Sequence, residues 1–141
     1  MVKKHKLDLA IDEDFCLLGL VSDETDYKLC WIINQSLHMN FEKQEDLELF
    51  HPRLQEEQMF SLFSYHDDEA MINYRIIKNR TENGYYLDEL KNIDYLIHIQ
   101  GEINTSRING FMNSVSTLEP VRMCMPSDLT RIRNKERLLL W

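Results

Sequence analysis

Residues 15–22 read FCLLGLVS, eight positions without one charged or amide side chain. The run is far shorter than the roughly 18 residues a membrane span needs. It is the length of a β-strand, and it does not alternate, as expected of a strand buried on both faces. A chain of 141 residues fits one such domain. At that size about two-thirds of the unfolded surface can be buried, so no disulfide or metal staple is required. Hydrophobic residues make up 43% of the chain, and with only 3 Pro and 4 Gly it has none of the marks of a low-complexity segment.

The flanking segments supply the other elements. MVKKHK, residues 1–6, reads as a loose start, and LDLAI after it alternates like a short strand. The segment SDETDYKLCWIINQSL predicts a helix over 24–37, capped by Ser22 or Asp23. Its inner stripe is Tyr27, Cys30, Trp31, Asn34 and Leu37 or His38, widened by Leu29, Ile32 and Ile33. EDLELF, MFSLFSYH and AMINYRIIKNR alternate in period two and predict an antiparallel meander of three strands, the last two joined by HDDEA. NRTENGYY is a turn, and YLDELKN one or two helical turns. IDYLIHIQG is a strand with Tyr95, Ile97 and Ile99 opposite Leu96 and His98. NTSRINGFMNSVSTL is a second helix, capped by Asn104 or Thr105 and packing Ile108, Phe111, Met112 and Val115. PVRMCMP lies between two prolines and suits an edge strand. The basic and then apolar stretch 131–141 is expected to dock on the body, because exposed apolar residues at 138–141 invite aggregation. The sum is an α+β domain over 1–141: an antiparallel sheet of about five to seven strands with two main helices on one face.

Charge narrows the partners. The formal charge of −8 is +2 in residues 1–10, +2 in 127–141 and zero in 102–126, which leaves −12 on 11–101. That body repels phosphate backbones over a Debye length of about 8 Å, so nucleic acid would have to use the basic ends alone. Cys16, Cys30 and Cys124 are odd in number, form no CxxC and sit among apolar neighbours. They read as buried thiols in a reducing compartment. No long apolar run follows the basic start, so neither a signal peptide nor a membrane span is expected, and the location read is cytoplasmic.

The stretch YLDELKNIDY, 86–95, gathers Asp88, Glu89 and Asp94 between aromatics. Asp88 and Glu89 open the short helix, where negative charge meets unpaired amides, a benefit of roughly 0.3–1 kcal/mol each. Asp94 precedes a strand and can bond backbone amides at the corner. On these residues the stretch resembles the signature of the IPExxxVDY family of Bacteroidetes, whose name spells its pattern. Leu87 stands for the Ile, Glu89 matches the Glu, Ile93 stands for the Val, and Asp94 and Tyr95 match outright. Asp88 replaces the Pro, and both types suit a first helical turn. HKLDL, DYKLCWIINQSL, DLELF, FSLFSYHDDE and IIKNR also resemble family segments, so the likeness spans nearly the whole chain. The resemblance implies no established activity, and the motif residues Leu87, Glu89, Ile93, Asp94 and Tyr95 are read as structural on the residue chemistry above.

Catalytic and metal signatures are missing from the sequence. The five histidines are scattered without HExxH, and His66-Asp67-Asp68-Glu69 reads as a solvated hairpin turn rather than a cation site. There is no GxSxG and no glycine-rich phosphate loop. The aromatics of FSLFSYH lack the basic residue and glycine of an RNA-binding strand and read as core. No catalytic residue, metal or cofactor is expected. The leading reading is a non-catalytic protein-interaction or regulatory module whose partner is another protein or a second copy of the chain. A ligand site or enzyme at the 86–95 corner, using Glu89, Asp94, Tyr95 and His98, is the alternative. Weak nucleic-acid binding through the basic termini is the third.

Overall fold

The apolar run becomes a strand with hydrogen-bonded neighbours on both sides. A computed structural model describes residues 11–12, 15–139 and 141, so the loose start expected at 1–6 and most of LDLAI lie outside the described residues. In chain order the elements are β1 (Ile11–Asp12), β2 (Phe15–Ser22), α1 (Asp26–Leu37), β3 (Glu42–Lys43), β4 (Leu47–His51), β5 (Glu56–Phe60), β6 (Leu62–Asp67), β7 (Ile72–Lys78), β8 (Arg80–Thr81), β9 (Gly84–Tyr85), β10 (Tyr95–Gly101), α2 (Thr105–Ser116) and β11 (Val121–Pro126). Short 3-10 turns sit at Asp88–Leu90, Leu129–Arg131 and Lys135–Leu138. The seven-stranded main sheet runs β1-β2-β10-β7-β6-β3, with β11 beside β2, and every pairing is antiparallel. The protein is α+β, as the sequence predicts, and PVRMCMP does form an edge strand.

Period two along the strands sorts side chains to two faces. On one face Cys16, Leu18, Leu20, Tyr74, Ile76, Tyr95, Ile97 and Ile99 meet Leu29, Cys30 and Ile33 of α1 and Ile108, Phe111 and Val115 of α2. On the other face Phe15, Leu17, Leu62, Ile77 and Leu96 are covered by Phe60, Tyr86 and Leu87, and by Leu129, Ile132 and Leu138 from the chain beyond β11. Each fully buried Leu or Ile contributes about 1.5–3 kcal/mol, so both layers matter to stability.

The structure corrects the sequence reading at two elements. The middle strand of the meander bends at Ser61. β4 and β5 form their own two-stranded sheet, with Leu47 opposite Phe60, while β6 continues beside β7, with Leu62 opposite Ile77. The bend carries β4 and β5 out of the main sheet, so that Phe60, Leu47 and Leu49 join the cluster on its far face.

Helix α1 is capped by Thr25, whose hydroxyl accepts the Lys28 amide N–H, and not by Ser22 or Asp23. β2 runs to Ser22, and the chain needs the intervening residues to turn. Ser22 instead accepts the amide of Glu24. The buried row lies at one side of the predicted apolar face: it keeps Leu29, Cys30 and Ile33 but leaves out Tyr27 and Trp31. Leu29, Cys30 and Ile33 are buried, whereas Tyr27 is 62% and Trp31 58% exposed. The start of α1 is held by Asp26, which accepts the Ser61 hydroxyl at 2.5 Å. Tyr27 rests edge-on against Phe63 at the border.

Candidate functional site

Asn79, the residue after β7, builds the 86–95 corner. Its side chain is fully buried. Its Nδ2 donates to the carbonyls of Leu90 at 2.8 Å and Ile93 at 2.9 Å, and its Oδ1 accepts the Leu87 amide at 3.0 Å. Its own backbone N–H donates to Asp94 O, and its carbonyl accepts from Tyr86. One amide side chain thereby satisfies a loop that has no ladder of its own, the requirement that buried backbone imposes. The sequence reading passed over Asn79. It appears there only at the end of IIKNR, past an apolar strand, and as the first residue of the turn NRTENGYY.

The three carboxylates do different things from a cluster. Asp94 Oδ2 accepts the Ser22 amide at 2.9 Å, and the Asp94 amide donates to Leu20 O, which ties the entry of β10 to the exit of β2. Glu89 accepts the backbone N–H of Arg133 at 3.2 Å. Asp88 faces His51 Nε2 at 3.5 Å. Asp88 and Glu89 do open the short turn, as the sequence predicts, and the Asp88–Leu90 turn has no side-chain cap. A 3-10 turn of three residues has little aligned dipole to complement.

The remaining candidates lie apart. Tyr95 points to the helix side of the sheet, where its hydroxyl donates to Glu24 O, and burial raises its pKa above the ordinary range. His98 points to the opposite side, at 2% exposure, stacked on Phe15 with centroids 4.8 Å apart and close to Trp141. Its Nε2–H donates to Leu138 O at 3.2 Å, and its Nδ1 is buried with no partner among the described residues. Burial, aided by the Arg75 charge, pushes its pKa down to about 4. Leu87 is buried and Ile93 half-buried against the far-face cluster. Glu89, Asp94, Tyr95 and His98 therefore share no pocket.

Two cavities border the fold. One, of about 840 Å³, lies between the end of α1 and the face of α2, over Tyr65 and Tyr74. The other, of about 940 Å³, opens at the 86–95 corner, between the β4–β5 turn and the 131–137 stretch; Glu89 is the only residue of the proposed set on its wall besides Leu87. Among the described residues, no group of three or more His, Cys, Asp or Glu side chains can hold a metal ion, and no helix is long and apolar enough to cross a membrane. His66 and Asp68 face each other at 3.1 Å, and Asp67 accepts the Ala70 amide, within the turn after β6. Comparison of the chain with protein-family models, with curated proteins and with solved structures finds no match in any of the three.

Proposed function

We propose that this chain is a non-catalytic binding module of the bacterial cytoplasm that works through contact with a partner protein. The observation that carries the reading is the exposed pair Tyr27 and Trp31 on successive turns of α1, at 62% and 58%. Large aromatics of this kind are the residue types on which interface energy concentrates, and here the fold leaves them out of its own core. The acidic body surrounding them favours a basic partner surface. A second copy of the chain is the other candidate partner, and it would have to meet this face with surface other than the acidic body. Membership of the IPExxxVDY family is proposed on the sequence pattern alone, with Leu87, Glu89, Ile93, Asp94 and Tyr95 acting as a structural corner. The alternative of an enzyme at that corner has less support, since Glu89 and Asp94 are engaged by backbone amides.

The test is capture by the purified chain as bait, beside light scattering for self-association. The wild type is expected to retain one specific protein, or to pair with itself, and Tyr27→Ser with Trp31→Ser to retain about tenfold less or worse. Equal retention by the double variant, or a monomer that repeatedly retains nothing, contradicts the proposal.

A further inference from the structure

The cavity at the 86–95 corner has a charge opposite to that of the chain around it. Five of its lining residues are cationic, Arg53, Lys91, Arg131, Arg133 and Arg137, against two carboxylates, Asp88 and Glu89. The chain as a whole carries −8. Both carboxylates are already engaged, Asp88 with His51 and Glu89 with the Arg133 backbone. Asp128 accepts from the amide and hydroxyl of Thr130, and its charge also faces Arg131. Arg137 is buried in the wall at 6% exposure and donates to two carbonyls and to Gln58, with no carboxylate in ion-pair reach among the described residues. The guanidinium groups of Arg53, Arg131 and Arg133 make no hydrogen bond or ion pair among the described residues, although they share one cavity with it.

Five cationic side chains against two carboxylates leave the concavity net positive, and Arg53, Arg131 and Arg133 are exposed there, so its field attracts anions. Guanidinium forks match phosphate oxygens two at a time, and a phosphate has oxygens enough to engage several forks at once, which chloride cannot do. The volume of about 940 Å³ lies at the upper end of small-molecule sites. We infer that this cavity binds a small molecule bearing a phosphate or pyrophosphate group, held by Arg53, Arg131 and Arg133. Arg137 contributes fixed charge from the wall, and Lys91, donating to Asp88 O and lying over the Tyr85 ring, closes one side. The site is independent of the α1 surface proposed above, and either can fail without the other.

Inorganic pyrophosphate is the probe, titrated calorimetrically into the full chain at low salt, with the chain of Arg131→Gln and Arg133→Gln alongside and Arg122→Gln, on the far edge strand, as control. The wild type and the control are expected to bind alike, the double variant about tenfold more weakly or worse, the loss that follows from removing charge-assisted hydrogen bonds. Added salt should weaken binding further. The inference is overturned if pyrophosphate does not bind, or if the groove variant binds as well as wild type. It is also overturned if the control loses affinity equally, or if an acidic peptide or an oligoribonucleotide binds the groove and pyrophosphate does not displace it.

Discussion

Tyr86 and Arg137 clasp each other across the far face of the sheet: the tyrosine hydroxyl donates to the Arg137 carbonyl, and the guanidinium returns an N–H to the Tyr86 carbonyl at 3.1 Å. The same guanidinium reaches Tyr85 O and Gln58 Oε1 and lies over the rings of Phe60 and Tyr86. One side chain thus joins the β4–β5 hairpin, the β8–β9 turn and the chain beyond β11.

Arg137→Met should therefore cost about 2–4 kcal/mol, because two buried acceptors and one partly buried acceptor lose their donor. Arg137→Lys should recover little of it, since an ammonium cannot span the fork. Urea unfolding measures both. A loss below about 0.5 kcal/mol for the Met variant would mean that the clasp holds nothing.

His98 makes the fold acid-sensitive. Its Nε2–H is committed to Leu138 O, so a second proton would fall on Nδ1, which is buried without an acceptor among the described residues. The folded pKa is depressed to about 4 from 6.5. The unfolded chain therefore binds the proton first as pH falls. The stabilisation is full above about pH 6.5 and fades progressively toward about pH 4, a change on the order of 3 kcal/mol. His98→Gln should flatten the difference in unfolding free energy between neutral and mildly acid pH. An unchanged slope would place the acid sensitivity elsewhere.

Two glycines should respond in opposite senses to the same substitution. Gly101 sits at φ +126°, and an added Cβ would lie 2.3 Å from the Met71 carbonyl oxygen, a backbone atom that cannot swing away. Gly101→Ala should cost roughly 3 kcal/mol or more. Gly110 lies inside α2 with nothing within 4 Å of an added Cβ. Gly110→Ala should stabilise by about 0.5–1 kcal/mol. Thermal melts of the two variants give the comparison directly.

The thiols should be silent until the protein opens. Cys16, Cys30 and Cys124 are buried, and burial pushes each pKa up to about 12. A thiolate-selective reagent should label none of them in the native state and all three in denaturant. Rapid labelling of any one under native conditions would reveal local opening at that position.

The strands were legible because period two is read directly from side-chain type, and β7 and β10 face as their alternation predicts. Helix α1 was harder. Its apolar residues spread so far around the axis that periodicity alone did not say which row would meet the sheet, and the Asp26–Ser61 contact that anchors its start is invisible in sequence. The bend at Ser61 carried no glycine or proline to mark it. At the corner, the backbone-bonding possibility for Asp94 was readable from its position. Asn79 was not, because its partners arise only when 79 and 86–94 come together. The basic cavity was likewise hidden: Arg53 and the arginines of 131–137 are neighbours only in the fold.

The central claim is that Glu89 and Asp94 hold backbone and that function lies on exposed surfaces. Denaturant unfolding of Asp94→Ala beside Asp94→Asn tests it most directly. The alanine variant should lose about 1–3 kcal/mol, because the buried Ser22 amide is left without an acceptor. The asparagine variant, which keeps an acceptor oxygen but no charge, should retain most of the stability and capture a partner as well as wild type. Full stability of Asp94→Ala, or a stable Asp94→Asn chain that no longer binds, would contradict the account.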